Sequence, residues 1–263
     1  DSTSAPQTLA PPAWKDYFTD PRLQQLIALA LDNNRDLRMA TLAIEQARAQ
    51  WQIQRSAQWP QIGLGANAAR APNSSGNLSN TYSVGGILSA WELDFFGRLG
   101  SLKEQALAQY LASEEGRNAA QTSLIAAVAS AWLALQADEE GLDISRRTLK
   151  SREEALQIYA KRYHGGLISE LDYRQAEAET ATARVAVPRY EQAVSQAETA
   201  LKVLVGANPR EVFEAEVPRG EKLSQIVVPP VLPDGTPSTL LLARPDLVSA
   251  EQQLVAANAR IGV

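Results

Sequence analysis

Between residues 21 and 59 apolar residues recur every three to four positions, which is the spacing of one face of an α-helix. Asp20 and Pro21 form a favourable N-cap and first helical position, and Pro60 cannot continue a helix. These signals predict helices within residues 14–59. They follow a leader, residues 1–13, whose Ser, Thr, Pro and Ala residues show no period.

The period changes to two within residues 60–96, which predicts a β-hairpin. A polar turn near residues 72–77 separates the strands, and Ile62 and Leu64 lie on one face of the first. The apolar face of the second strand consists of Tyr82, Val84, Leu88 and Ala90, opposite Ser83, Gly85 and Ser89. In a membrane hairpin this apolar face meets lipid. An ordinary soluble hairpin fits the alternation equally well.

Residues 97–205 show a third pattern, two long helical arms. No proline lies between Arg98 and Tyr163, so up to about 66 residues, or about 100 Å, can be helical. The glycines after His164 end this arm, Ser169 is a plausible N-cap for the returning arm, and Pro188 is expected to bend that arm. Apolar residues recur at intervals of seven, which predicts a coiled-coil seam of Val128, Leu135, Leu142, Leu149 and Leu156.

A proline-rich connector, residues 206–238, precedes a segment that resembles an earlier one. Shifting the sequence by 210 residues places Asp36 and Leu37 on Asp246 and Leu247, with several alanines in register. Alanine bias could produce such matches. The shared layout nevertheless favours a duplicated protein in which residues 239–263 begin a second repeat.

Composition narrows the possible functions. The chain is 45% hydrophobic and 21% charged, as folded proteins are, and its net charge of -5 without a basic cluster argues against nucleic acid as a partner. The absence of cysteine excludes disulfides and thiolate sites. No apolar run suggests a membrane-spanning helix of about 20 residues, so any contact with a bilayer is expected to involve strands.

Candidate chemistry is sparse. His164 is the only histidine and has no partner for a metal site, and a solvated turn residue is the simpler interpretation. Glu92 and Asp94 are the only residues that resemble a catalytic carboxylate pair of a hydrolase. Lining a polar lumen, or capping a helix near Gly97, explains both carboxylates as well. The sequence therefore predicts no enzyme, no metal and no cofactor.

Several strings together carry a family resemblance. NNRDLR from Asn33, WELDFFGR from Trp91, YHGGLISELDYRQ from Tyr163, RPDL from Arg244 and AANA from Ala256 resemble the TolC/OprM-like outer-membrane channel proteins, especially those that work with resistance-nodulation-division (RND) pumps. The resemblance covers nearly everything from Trp14 onward.

The resemblance implies a homotrimer in the outer membrane of a Gram-negative bacterium, with a large periplasmic part. Each full-length protomer gives four strands to one shared β-barrel and long helices to a periplasmic tunnel. The implied partners are a periplasmic adaptor, or membrane fusion protein, and an inner-membrane RND transporter. Members are commonly lipidated on an N-terminal cysteine, and this sequence contains none. The motif at which members meet the adaptor's helical hairpin falls on Gly165, Gly166, Leu167, Ile168 and Ser169.

The expected fold is therefore mainly α, a long antiparallel coiled-coil hairpin with one β-hairpin destined for a shared trimeric barrel. Only the first of two structural repeats is expected in this chain. The expected function is a passive export duct for drugs or metal ions in a tripartite efflux pump. The alternative is a periplasmic coiled-coil adaptor or scaffold without a pore, whose helical hairpin would look similar.

Overall fold

The structure is a computed structural model that describes residues 13–72, 76–88, 91–206 and 238–263. The elements are α1 (Trp14–Tyr17), α2 (Pro21–Asn33), α3 (Arg35–Ser56), β1 (Ile62–Pro72), β2 (Leu78–Leu88), α4 (Arg98–His164), α5 (Glu170–Val205) and α6 (Pro245–Ala259), with 3₁₀ turns at Ser238–Ala243 and Arg260–Gly262. The predicted leader and proline-rich connector lie almost wholly outside the described residues.

The chain divides into two compact units. One contains the described residues up to Arg38 and those from Ala120 to Leu240, and the other contains Met39–Ala119 and Leu241–Val263. The long helix α4 contributes residues to both units.

The first unit has its hydrophobic core where α2 packs against the middle of α4 and the end of α5. The Asp20 carboxylate begins α2 by accepting hydrogen bonds from the backbone N–H groups of Arg22 and Leu23, at 2.7 and 3.3 Å. Trp132 is the largest fully buried side chain, with 1% of its surface exposed. Its core neighbours include Leu23, Leu26, Ile27, Val128, Leu135, Leu201 and Val205.

Asn34 joins three helices at one edge of this core. Its side-chain oxygen accepts a hydrogen bond from Leu37 N at 2.9 Å, which caps α3, and its amide donates to the Leu204 carbonyl near the end of α5 at 2.8 Å. Gly206 ends α5 with φ +71°, and a Cβ atom there would lie 2.5 Å from the Asn33 carbonyl oxygen. Asn34 therefore satisfies helix-terminal groups that would otherwise be buried without partners.

The two arms, α4 and α5, form the predicted antiparallel hairpin, and α5 continues through Pro188 to Val205. A Cβ atom on Gly141 would lie 2.5 Å from the Tyr190 ring, so the missing side chain makes room for that ring between the arms. Ion pairs also join the arms, namely Arg146–Glu191, Arg152–Glu179 and Arg184–Glu153. All three are solvent-exposed, and such pairs contribute only about 0–1 kcal/mol. Packing, more than charge, therefore holds the arms in register.

Burial varies along the predicted seam. Val128 and Leu135 are fully buried, whereas Leu142, Leu149 and Leu156 are half-buried in the single chain. The difference arises because Val128 and Leu135 lie in the core that α2 covers, whereas the other three leucines lie further along the arms. One partner helix covers only part of a heptad face.

The apolar middle of α4 differs from the expectation that no segment resembles a membrane-spanning helix. Among the described residues α4 is long enough and apolar enough to pass a simple test of length and composition for a membrane-spanning helix. Residues 118–137 contain no charged side chain. Core helices of soluble proteins pass the same test, and the burial of Val128, Trp132 and Leu135 in the core accounts for apolar residues in this helix.

The second unit brings α3, the start of α4 and α6 together around small side chains. Ser249 on α6 donates a hydrogen bond of 2.9 Å to the Ala112 carbonyl on α4. Trp51 on α3 stacks on Tyr110 of α4, with ring centroids 6.2 Å apart. The buried alanines of this unit are Ala106, Ala108, Ala112 and Ala256. Small residues at these positions let the helix backbones approach closely.

Fully buried and half-buried seam residues are expected to lose different amounts of unfolding free energy when they are replaced by alanine. Leu135→Ala should lower the free energy of unfolding by about 2–5 kcal/mol, because the side chain is fully enclosed. Leu149→Ala should cost about 1 kcal/mol, because only part of its side chain leaves water. Urea-induced unfolding followed by circular dichroism measures both. Equal losses would contradict the assigned burial.

Candidate functional site

The turn between the long arms is a hydrogen-bonded structure that depends on glycine. The N–H groups of Gly166 and Leu167 donate to the carbonyls of Tyr163 and Arg162, both at 2.9 Å, which is the paired hydrogen-bond pattern of a Schellman motif. Gly166 has φ +70°, a conformation that residues with a Cβ atom rarely adopt. The predicted break after His164 is therefore a defined cap.

A capping box begins the returning arm. The Ser169 hydroxyl oxygen accepts a hydrogen bond from Asp172 N at 3.2 Å, and the Asp172 carboxylate accepts one from Ser169 N at 3.3 Å. Just behind the turn, Tyr163 and Tyr173 stack with ring centroids 5.1 Å apart and planes within 5°. The predicted role of Ser169 as an N-cap is confirmed.

Two exposed leucines mark the turn. Leu167 is 76% exposed and Leu171, four residues later on α5, is 75% exposed, whereas Ile168 is half-buried. The docking motif predicted from the sequence includes Leu167 and Ile168 but not Leu171. The signal was present, because a leucine in the first turn of α5 lies close to the capping residue.

Charged side chains hold the first turns of α5. Arg174 pairs with Glu177 at 2.8 Å and with Glu170 at 3.4 Å, and its guanidinium lies 5.6 Å from the Tyr173 ring centroid. The hydrogen bonds from Arg174 and Tyr173 lower the pKa of Glu177, and the hydrogen bond to Glu177 raises the pKa of Tyr173. These interactions stabilise a helix start; they do not form an acid–base pair.

The arms near the turn provide little space for a ligand. A shallow groove of about 170 Å³ lies between them, lined by residues that include Arg152, Tyr159 and Gln175. Within the part of the chain that the structure describes, no group of three or more His, Asp and Glu side chains is placed to hold a metal ion.

The β-hairpin is the second candidate site, and its pairing defines its two faces. The antiparallel register runs from Ile62–Leu88 to Pro72–Leu78, with Ala66 opposite Val84. Directly opposed residues share a face, so the apolar positions of β1 and β2 lie together. That face carries Ile62, Leu64, Ala66 and Ala68 with Tyr82, Val84 and Leu88. Ala90 and Ser89 lie outside the described residues.

The opposite face is built mainly of glycine, alanine, serine, threonine and asparagine. Its one large apolar side chain, Ile87, lies over Gly65, where any Cβ atom would collide with it. On this apolar face Arg70 opposes Asn80 near the turn of the hairpin, and the apolar pair Pro72 and Leu78 follows two residues further on. The apolar face predicted from the sequence did not include Arg70 and Asn80.

The carboxylates considered as a catalytic pair are used differently. Residues 91–97 are not a strand, so Glu92 and Asp94 do not share a strand face. Glu92 forms two hydrogen bonds with Arg98, which lower the pKa of Glu92. Burial by itself raises the pKa of Asp94, but hydrogen bonds from the backbone N–H groups of Gly100, Leu99 and Arg98 outweigh it and lower that pKa. Asp94 caps α4.

The family described as "Outer membrane efflux protein" matches residues 26–207. That range includes the helical hairpin and the β-hairpin. The chain belongs to this family.

Two named outer membrane proteins are similar to this chain and support the family assignment. The chain is 40% identical to the outer membrane protein OprJ of Pseudomonas aeruginosa, over 95% of this chain and 53% of OprJ. It is also 40% identical to the toluene efflux pump outer membrane protein TtgF of Pseudomonas putida, over 95% of this chain and 52% of TtgF. This efflux-family chain spans about half the length of the curated relatives it matches.

The fold of this efflux-family chain also matches a solved channel structure. The open-state outer membrane channel MtrE of Neisseria gonorrhoeae superposes with a TM-score of 0.80 at 38% identity. The match covers 95% of this chain and 56% of MtrE. The long helical hairpin and the two-stranded hairpin therefore belong to the family's architecture.

The two glycines of the turn are expected to differ in how much stability is lost when each is replaced by alanine. Gly166→Ala should lower the free energy of unfolding by about 1–2 kcal/mol, because alanine is strained at positive φ. Gly165→Ala is the matched control and should change it by no more than about 0.5 kcal/mol, since its nearest contact is 3.4 Å away. Denaturant unfolding measures both variants. A neutral Gly166→Ala variant would show that the turn is not held as described.

Proposed function

We propose that this chain forms part of the wall of an outer-membrane efflux duct in a Gram-negative bacterium. The duct is a passive conduit for drugs or metal ions, and an energised inner-membrane RND transporter drives export. The observation that supports this most directly is the β-hairpin. Its apolar and polar faces are separated, and its large apolar side chains are exposed.

The edges of this hairpin require further strands. In the described part of the chain the sheet contains only β1 and β2, so the outer edge of each strand has no pairing partner. Each unpaired backbone group costs several kcal/mol in lipid, so only a closed barrel can span the bilayer. Strands of 11 residues match the 9–11 tilted residues that a membrane strand needs. In a homotrimer of the full-length protein, the missing strands would come from a second hairpin in each protomer and from the neighbouring protomers.

The helical arms fit the wall of a periplasmic tunnel. Leu142, Leu149 and Leu156 are half-buried in the single chain, and the returning arm carries many alanines. Further helices packed beside α4 and α5 would cover the open side of this seam. Such a wall needs no catalytic residue, because the energy for export comes from the pump.

The turn between the arms is proposed to dock the helical hairpin of the periplasmic adaptor. Gly165, Gly166 and Ser169 hold the turn, and Leu167, Ile168 and Leu171 give it apolar surface. A rigid turn that exposes leucines to water loses little conformational freedom when it binds.

The orientation of the hairpin can be tested by spin labels, because the chain contains no cysteine. With the protein in phospholipid vesicles, a label at Val84→Cys should collide mainly with oxygen, which concentrates in lipid. A label at Ser83→Cys should collide mainly with a water-soluble nickel chelate, because Ser83 lies on the opposite face. Power-saturation electron paramagnetic resonance measures both. Two water-exposed labels would favour the adaptor without a pore.

The docking role of the turn predicts a loss of export without a loss of stability. Leu167→Asp should abolish export and crosslinking to the adaptor, because a carboxylate cannot replace an apolar contact. The melting temperature should stay nearly unchanged, because Leu167 is exposed. Leu167→Met is the matched control and should export normally. Normal export by a well-expressed Leu167→Asp variant would refute docking through this residue.

A further inference from the structure

A single charged side chain lies on the apolar face of the β-hairpin. Arg70 shares this face with Ala66 and Ala68, because alternate residues of a strand point to the same side. The apolar pair Pro72 and Leu78 lies beyond it, towards the turn. The two strands and their turn contain no Asp, Glu or Lys and no second Arg. Arg70 is therefore a charge enclosed between apolar pairs.

Two further hydrogen-bond donors lie beside Arg70 on this face. Asn80 is directly opposite Arg70, and Tyr82, opposite Ala68, is a diagonal neighbour at about 7–8 Å between Cα atoms. Tyr82 is 75% exposed, and Arg70 and Asn80 are exposed as well. Within the part of the chain that the structure describes, none of these three side chains forms a hydrogen bond or an ion pair. A guanidinium, a carboxamide and a phenol hydroxyl are therefore available together.

A second copy of the hairpin cannot supply a counterion for Arg70, because its strands and turn contain no carboxylate. Along the chain the nearest carboxylates are Glu92 and Asp94, which follow the opposite end of the hairpin. Both are engaged, since Glu92 pairs with Arg98 and Asp94 accepts a hydrogen bond from Gly100 N. A guanidinium on a lipid-facing surface is costly without an anion to neutralise it. The anion must therefore come from outside the hairpin.

Phosphate is the anion whose chemistry matches these three donors. A guanidinium donates two parallel hydrogen bonds to one phosphate group, and the Asn80 amide and the Tyr82 hydroxyl can donate to its other oxygens. Lipids carry such phosphates at the bilayer surface, and the long arginine side chain can reach them while its stem stays on apolar surface. The position of Arg70 near the hairpin turn brings it towards that surface.

We propose that Arg70, Asn80 and Tyr82 bind the phosphate group of an anionic lipid on the outside of the duct. This inference rests on the proposed function, because it requires that the apolar face of the hairpin meets lipid. It adds a specific lipid site to a surface that otherwise contacts hydrocarbon chains of any kind.

Electron paramagnetic resonance of spin-labelled lipids tests this site. Trace amounts of phosphatidic acid or phosphatidylcholine, each labelled near the end of one acyl chain, are added to phosphatidylcholine vesicles that contain the full-length protein. The share of each lipid that the protein immobilises gives its relative affinity. Phosphatidic acid should bind about fivefold more strongly, the factor for one basic side chain at an anionic lipid. Arg70→Gln should remove most of this preference, and an unchanged melting temperature confirms folding.

Tyr82→Phe is a second variant, which keeps the ring and its apolar surface. It should lower the preference about twofold, because only one hydrogen-bond donor is lost. Arg55→Gln is the matched control; it removes the same charge from α3, where Arg55 lies over the Trp51 ring, and should leave the preference unchanged. A preference that persists in Arg70→Gln, or that falls equally in Arg55→Gln, would overturn the site.

The remaining outcomes separate this lipid site from a dissolved anion and from the duct itself. Inorganic phosphate should displace no more lipid than sodium chloride at equal ionic strength, and displacement by phosphate alone would overturn lipid binding. If phosphatidic acid shows no preference and the Val84→Cys label still reports lipid, the site fails and the proposed duct stands. If that label is in water and neither lipid is immobilised, both proposals fail.

Discussion

A helix of 67 residues cannot bury its apolar side chains within itself, and this need for partners organises the described structure. In the first unit α2 and α5 cover α4 and enclose Trp132. In the second unit α6 approaches α4 through Ser249, and α3 approaches it through Trp51. Where α5 is the only cover, Leu142, Leu149 and Leu156 stay half-buried.

The backbone of the β-hairpin also lacks pairing partners. Its strands pair with each other along eleven positions, but within the described residues their outer edges have no partner. Its large apolar side chains are exposed as well. Half-covered leucines and unpaired strand edges both indicate surfaces that an assembly covers, and this agrees with the proposal that several copies form one duct.

The charged groups near the hairpin make structural contacts. Asp94 accepts hydrogen bonds at the start of α4, and Glu92 pairs with Arg98. Both carboxyl pKa values are lowered, so both groups are negatively charged near neutral pH. A catalytic acid would need the opposite shift. These two residues hold the segment before α4 against the first turn of that helix.

The local features of this protein were determined by sequence alone. Prolines, glycines and caps act within a few residues through φ angles and backbone hydrogen bonds, so the bounds of α4 and the Ser169 cap could be predicted. Tertiary structure decided which residues are covered or brought together. Asn34 reaches a carbonyl 170 residues away, Leu149 depends on how many helices surround it, and Arg70 meets Asn80 only through the strand register. Burial and register depend on contacts between distant segments, which short-range patterns do not encode.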